Sequence, residues 1–200
     1  MNNINKVIPL TMALTIFPSA NAALSTYADK ASFLAATSSV TTEDFSGEAD
    51  GVFDSRSFKD FNAILVNKSF GNTGVNQPEI YNETLRIQIW DSNSELQLEF
   101  NQSIRALGFD WSNTDGSNDL MELLVDGESF AFGPAQNSGF FGVISDSALI
   151  GLALSDTEGD GGACEYCTID NLSYSAVPVP AAAWLFGSAL AGLSVVRRKK

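Results

Sequence analysis

An acidic segment in the last third of the chain has the spacing of a calcium-binding loop. Asp156-Thr-Glu-Gly-Asp-Gly161 fits positions one, three, five and six of the twelve-residue EF-hand loop, in which oxygen ligands surround the ion. Position twelve, where a glutamate closes the site with both oxygens, is Cys167. Because this ligand is missing, the pattern favours a plain acidic loop over a calcium loop of this type.

Two cysteines, the only two in the chain, stand close together in Cys164-Glu-Tyr-Cys167. In an exported chain such a pair favours a disulfide, which here closes a very small loop and adds little entropic stabilisation. A thioredoxin-like redox pair requires a helix after the first cysteine, whereas a strand pattern follows here. Zinc requires further ligands, and the chain has no histidine. The sequence therefore predicts a disulfide between Cys164 and Cys167.

Aromatic side chains flanked by carboxylates and amides are the combination that binds sugars, because a sugar ring has an apolar face and a rim of hydroxyls. Trp90 alternates out of phase with the apolar residues before it and is followed by Asp91, so we expect it to project from a sheet. Tyr81 and Tyr166 lie in predicted loops and complete this candidate ligand-binding set. The alternative is that Trp90 caps a sheet edge or packs under a loop. Trp111 has the parity of its apolar neighbours and is predicted to pack in the core.

Motifs for catalysis are missing from the sequence. Without histidine there is no Ser-His-Asp set, and neither G-x-S-x-G nor the phosphate-binding G-x-G-x-x-G occurs. A glycosidase needs only two carboxylates, so the 24 acidic residues leave that activity open as a weaker alternative. The sequence favours a protein that is not an enzyme.

The elements that must position these residues are mostly short strands. Thr26 to Ala36 has helical spacing of its apolar residues, with Asp29 in the predicted first turn. From there on apolar residues alternate. Residues 85–89 and 96–100 flank the turn Asp91-Ser-Asn-Ser94 and predict a β-hairpin, whereas residues 67–83 are predicted to form a long loop. Further strand segments are predicted at 107–111, 123–125, 130–132, 141–143 and 169–174, with an apolar run over 148–154 and a tight turn at 126–128. Strands at this spacing predict a mainly β domain, an antiparallel β-sandwich with one short N-terminal helix.

Both ends of the chain carry export signals. Lys6, the apolar run Val7 to Phe17 and the A-x-A site Ala20-Asn21-Ala22 predict a signal peptide over residues 1–22. The cargo is then one β-sandwich domain over residues 23–176. Residues 177–200 form a separate C-terminal signal.

The C-terminal signal has three parts. An accessible, extended motif comes first, because two prolines lack amide donors and keep their neighbours out of a helix; it comprises Val177, Pro178, Val179, Pro180 and Ala181. An uncharged helix over 181–196 follows, roughly 24 Å long and a little short of a bilayer core of about 30 Å. Four cations, expected on the cytoplasmic side, end the chain: Arg197, Arg198, Lys199 and Lys200. The alternative is a plain C-terminal membrane anchor.

This order of motif, apolar helix and basic cluster resembles the PEP-CTERM bacterial sorting signals, in particular the variant with the motif V-P-L-P-A. The resemblance covers Val177 to Lys200 and implies recognition and cleavage by an exosortase, a membrane protease or transpeptidase of Gram-negative bacteria that make exopolysaccharide. Val179 stands where the founding motif has glutamate, so the resemblance does not identify the processing enzyme.

The domain itself resembles the jelly-roll cargo domains that precede such tails, which are similar to carbohydrate-binding modules. The residues that carry the resemblance are Ala106-Leu-Gly-Phe-Asp-Trp111, Gly-Phe-Phe-Gly-Val-Ile144 and Ile169-Asp-Asn-Leu-Ser-Tyr174. It implies a structural calcium ion that joins Glu43 or Asp44 of the first strand to Asp170 of the last. The alternative is that Asp170 makes only turn hydrogen bonds at a strand start.

The charge of the domain limits its partners. The whole chain has a formal net charge of −13. Removal of Lys6 and the four terminal cations leaves six cations against 24 acidic residues, so the domain carries about −18. Such a field repels nucleic acid and anionic lipid. We expect an exported protein of the cell surface or extracellular matrix, anchored in the membrane through its C-terminal helix until processed, that associates with exopolysaccharide. The alternative is a structural matrix protein without a specific ligand.

Overall fold

The computed structural model describes residues 23–37, 39–66, 77–87, 94–113, 120–133, 138–156 and 167–176. Within these ranges the chain is mainly β, with one short helix, as predicted. In chain order the elements are β1 Leu24–Tyr27, α1 Lys30–Ala36, β2 Thr41–Glu43, β3 Gly51–Val52, β4 Ser55–Ser57, β5 Phe61–Val66, β6 Glu79–Tyr81, β7 Thr84–Ile87, β8 Glu95–Phe100, β9 Ile104–Asn113, β10 Met121–Val125, β11 Glu128–Phe132, β12 Ser138–Leu149, β13 Ala153–Asp156 and β14 Cys167–Ala176.

The strands form two antiparallel sheets. Sheet 1 has the order β1-β12-β9-β14-β7-β6-β3, and β2 also pairs with β14. Sheet 2 has the order β11-β10-β13-β8-β5-β4. From β8 onward, consecutive described strands belong to different sheets, except that β10 and β11 are both in sheet 2. The two sheets are therefore interleaved along the chain.

The main core lies between the two sheets. Alternate residues of most strands are buried, as the period of two requires. Leu107 and Ile169 from sheet 1 and Phe61 and Leu123 from sheet 2 are completely buried in one apolar cluster. This face-to-face packing makes the fold a β-sandwich.

A second, smaller core lies on the outer face of sheet 1, under helix α1. Phe33 is the buried residue of the helix, and its ring packs beside Phe140 and Tyr27. Gly108 and Gly142 are register partners beneath this ring, and a Cβ atom at either would lie only 2.7 Å from an aromatic carbon. The two glycines therefore make the slot into which the helix docks.

Helix α1 begins later than the sequence predicted. Thr26 and Tyr27 belong to β1, where they pair with β12, and the helix covers only Lys30–Ala36. Asp29 is the N-cap and not a first-turn residue, because its carboxylate accepts a hydrogen bond from the Ser32 amide at 2.7 Å. Phe33 is the buried residue of the helix, whereas Leu34 is 41% exposed.

The hairpin predicted from residues 85–89 and 96–100 is wrong. Both segments contain strands with the predicted buried parity, but β7 pairs with β6 and β14 in sheet 1, whereas β8 pairs with β5 and β13 in sheet 2. The predicted loop 67–83 contains a strand, β6, which forms a hairpin with β7. Asn82 and Glu83 form its turn with φ of 48° and 60°. The predicted turn at Asp126-Gly127 is confirmed between β10 and β11.

Candidate ligand-binding groove

Polar side chains form two rows across the outer face of sheet 1. They face outward because the residues between them, such as Phe109 and Ile169, face the core. The first row crosses five strands through register partners: Ser138, Ser112, Thr168, Arg86 and Glu79. The second row contains the partners Asp110 and Asp170, then Thr84 and its partner Tyr81. Thr84 is level with Asp170 because it lies one residue beyond the Ile169–Leu85 pair.

A shallow groove of about 380 Å³ runs between these rows. We call it the polar groove. Most of its lining residues carry a hydroxyl or a carboxylate: Thr84, Asp110, Trp111, Ser112, Ser138, Gly139, Thr168 and Asp170. Trp111 packs beside Phe132 and against the main core, as its parity predicted.

Asp110 is held in place by helix α1 and by β14. Lys30 Nζ donates to Asp110 Oδ2 at 2.6 Å, and Asn171 Nδ2 donates to the same oxygen at 3.0 Å. Asp29 caps the helix, so that Lys30 is the first helical residue and its ammonium lies at this end of the groove. Since both partners of the ion pair are more than a third exposed, the pair adds less than about 1 kcal/mol of stability and serves mainly to orient the carboxylate.

Asp170 lies opposite Asp110 at an irregularity of the sheet. Its Oδ1 accepts a hydrogen bond from the amide of the next residue, Asn171, at 2.6 Å. Asn171 has a left-handed φ of 51°, and the register between β14 and β9 shifts between Asp170 and Ser173. Burial raises the pKa of the Asp170 carboxyl, and the nearby carboxylates of Asp110 and Asp44 raise it further. Bulges of this kind re-aim side chains and are frequent beside binding sites.

Two hydroxyls pair in the first row. Ser112 Oγ and Thr168 Oγ1 lie 2.6 Å apart, across the β9–β14 register pair. One hydrogen is shared between the two oxygens, so the pair keeps a second hydroxyl hydrogen and further lone pairs. A ligand hydroxyl can therefore find both a donor and an acceptor here.

Tyr81 stands at the end of the second row. It is 44% exposed, and the Arg86 guanidinium lies 4.0 Å from its ring centre. Arg86 Nη1 in turn donates to Glu79 Oε1 at 2.7 Å, and both of these side chains are largely buried. The ring is thus backed by a fixed planar cation. Of the predicted ligand-binding set, Trp90, Asp91 and Tyr166 lie outside the described residues.

The predicted calcium ligands are brought near one another only in part. β2 pairs with β14 and so carries Glu43 and Asp44 towards Asp170. Glu43 Oε1 accepts from the Phe45 amide and Asp44 Oδ1 from the Ser46 amide, each at 3.0 Å. Hydrogen bonding with Ser46 lowers the pKa of Asp44, whereas burial raises the pKa of Glu43.

Within the described ranges no three carboxylates or cysteines converge as a metal site would require. Calcium binding stays a prediction, and the loop 157–161 lies outside the described residues.

Other sequence predictions fall wholly or partly outside these residues. Cys167 is disulfide-bonded, and its predicted partner Cys164 is not among the described residues. In the part of the chain that is described, no helix is long and apolar enough to cross a membrane. The signal peptide, the sorting motif 177–181, the predicted span 181–196 and the cations 197–200 are likewise not described.

Other hollows in the described structure are weaker candidates for a binding site. An enclosed apolar gap beneath Trp111 measures only about 10 Å³, at the lower limit for one water molecule. A hollow beside Glu48, Asp50 and Glu83 is wide open. Its carboxylates already take internal partners, since Glu48 pairs with Arg56 at 2.8 Å and Asp50 accepts from the Asn82 amide. The polar groove is the better candidate because its polar groups line one continuous surface.

Sequence reasoning missed most of the groove residues. Ser112, Thr168 and Asp110 have the parity opposite to their core neighbours, which marks them as outward-facing. The pairing of β9 with β14 places them together, and no local pattern reveals that pairing. Comparison of the chain with known protein families, with characterised proteins and with solved structures finds no match.

Proposed function

We propose that this chain is an exported protein of the bacterial cell surface or extracellular matrix that associates with exopolysaccharide through the polar groove. The observation that carries this proposal is the pair of rows across sheet 1. Hydroxyls and carboxylates are aligned there over several strands, next to the exposed ring of Tyr81.

The chemistry of the rows suits a sugar chain. Four inter-strand spacings of about 4.8 Å separate β12 from β6, so the first row extends over roughly 19 Å. That length fits an extended oligosaccharide better than a single sugar. The paired hydroxyls of Ser112 and Thr168 offer donors and acceptors to sugar hydroxyls, and Tyr81 offers a face for the apolar side of a ring.

The remaining parts of the proposal come from the sequence. The domain is a jelly roll of the carbohydrate-binding kind, and it is not an enzyme. Residues 1–22 direct export, and residues 177–200 form a PEP-CTERM-like tail that holds the protein in the inner membrane until an exosortase cleaves it. β14 ends at Ala176, directly before the sorting motif, so cleavage there would leave the described domain whole.

The test is co-sedimentation of the purified full-length protein with the exopolysaccharide of its host, in calcium and in EDTA. We expect the wild-type protein to pellet with the polysaccharide and Tyr81→Ala to lose roughly three- to tenfold in affinity, the usual size of one stacking contact. Ile150→Ala is the matched control, because Ile150 is an exposed apolar residue, 67% accessible, that does not line the polar groove.

The alternatives give different results. A structural matrix protein without a ligand would stay in the supernatant in both buffers while matrix assembly in the host still required it. Release of reducing ends from the polysaccharide would indicate a glycosidase. Pelleting that needs calcium would support the predicted ion; pelleting in EDTA would show that calcium is not required.

A further inference from the structure

We propose that the polar groove selects polysaccharide chains that carry free amino groups over chains that carry carboxylates. This inference rests on the proposed function and names the ligand class of the same site. It is carried by the charges that line the groove together with the hydroxyl pair between them.

The carboxylates exceed the cations in and around the groove. Asp110 is balanced by Lys30 at 2.6 Å, and Arg86 is balanced by Glu79 at 2.7 Å. Asp170 then stands beside Asp110 as its register partner, so two carboxylates lie next to each other in the groove lining and repel each other. An ammonium group bound here would relieve that repulsion, whereas a uronate or sulfate would add to it.

The hydrogen-bonding groups agree with the charges. An ammonium group has three donors and no acceptor, so it requires several acceptor oxygens in one place. The Asp170 carboxylate and the oxygens of Thr84, Ser112 and Thr168 all line the groove and supply them. A carboxylated sugar requires donors with positive charge, and the two cations beside the groove are already bound to carboxylates. The net charge of the domain acts in the same direction at longer range.

The experiment compares oligosaccharides of equal length that differ in charge. Glucosamine hexamers, their fully N-acetylated counterparts and galacturonate hexamers are titrated into the full-length protein by calorimetry, in EDTA and at mildly acidic pH, where the amines are protonated. We expect the amine form to bind about tenfold tighter than the N-acetylated form, the effect of two partly exposed charge contacts, and galacturonate to bind weakest.

Paired variants separate the groove from the overall charge. Asp110→Asn with Asp170→Asn removes two charges from the groove, and Glu122→Gln with Glu128→Gln removes two from sheet 2, where neither residue lines the groove. We expect the first pair to abolish the preference for the amine form and the second pair to keep it; circular dichroism checks that both variants fold.

The outcomes distinguish this inference from the proposed function. Equal binding of the amine and N-acetylated forms, tighter binding of galacturonate, or equal loss in both paired variants would overturn the selectivity while leaving polysaccharide binding in place. Absence of binding to these hexamers and to the host polysaccharide alike would overturn both.

Discussion

Asp110 is the residue at which helix α1, β9 and β14 meet. Its carboxylate joins Lys30 of the helix to Asn171 of β14, and its register partner is Asp170. Such a residue positions a groove more than it stabilises a fold, because partly exposed ion pairs contribute little to the free energy of unfolding. Its two hydrogen bonds fix the carboxylate in the lining of the polar groove.

A second group of carboxylates, around Glu43, lowers the stability of the folded protein when Glu43 is ionised. The Tyr174 hydroxyl donates to Asp60 at 2.7 Å, and the Glu43 carboxyl lies close to both. Burial raises the pKa of Glu43 above its ordinary value, and the charges of Glu48, Asp44 and Asp60 raise it further. The ionised form of Glu43 is therefore disfavoured in the folded protein relative to the unfolded chain.

Replacement of Glu43 by glutamine should stabilise the protein at neutral pH. A carboxyl whose folded pKa is raised contributes stability that is fully present below the unfolded pKa and is lost as pH rises through the folded pKa. Since Glu43 is only partly buried, the gain should be small, roughly 1–2 °C in Tm at neutral pH. It should vanish below the ordinary pKa of glutamate. Thermal unfolding followed at several pH values measures this difference. Glu128→Gln, at an exposed turn position, is the control, and equal gains in both variants would contradict the assignment to Glu43.

At the scale of the elements, helix α1 depends on two glycines of the sheet beneath it. Gly108 and Gly142 pair directly, and the Phe33 ring fills the space that their missing side chains leave. The helix has only seven residues, too short to be stable alone, so this contact and the N-cap at Asp29 hold it. The docked helix in turn delivers Lys30 to the groove.

Gly142→Ala should undock the helix in part. Its new Cβ would lie 2.7 Å from Phe33 Cδ2 and 3.0 Å from Phe140 Cε1, which predicts a loss of about 1–3 kcal/mol. Phe33→Ala should cost about 3–5 kcal/mol through the cavity that it leaves.

The double variant tests the contact between the two residues. With the ring removed, the added methyl group meets no ring of residue 33. The double variant should therefore lose at least about 1 kcal/mol less unfolding free energy than the two single variants lose in sum. Urea denaturation of the four proteins measures the coupling. Strict additivity would show that Gly142 and Phe33 do not interact as described.

The elements also show what the sequence could and could not predict. Strand parity was readable because side chains alternate with a period of two, as at Leu96 and Leu98 or Leu107 and Phe109. Partners were not readable, because β7 and β8 are consecutive strands that enter different sheets. The groove depends on such partners: Asp110 and Asp170 are sixty residues apart and meet only through the register of β9 and β14. Tyr81 was singled out from its type, but its place in a strand was not foreseen.

At the scale of the whole molecule, β14 is the central strand of sheet 1. It pairs with β9 on one side and with β7 and β2 on the other, and it contributes Ile169, Leu172 and Tyr174 to the main core. The last described residue of this strand, Ala176, directly precedes the predicted sorting motif. The predicted boundary between domain and tail therefore lies directly after this strand.

The boundary between domain and tail should therefore be sharp. A chain that ends at Ala176 retains every described strand, so we expect its Tm to match that of the full-length protein within about 1 °C. A chain that ends at Asp170 lacks the residues of β14 that pair with β2 and with the first half of β9, together with Leu172 and Tyr174. Loss of these buried contacts should prevent folding under the same conditions, since two large core side chains alone contribute several kcal/mol.

Scanning calorimetry and circular dichroism of the three chains measure the effect. If the chain that ends at Ala176 were itself unfolded, the domain would need residues from the predicted tail, and cleavage at Val177 to Pro180 could not release an intact protein. If the chain that ends at Asp170 kept its Tm, the central position of β14 would not be required for the fold. The expected pattern, stable at 176 and unfolded at 170, is the one that lets a sorting enzyme remove the tail without disturbing the groove.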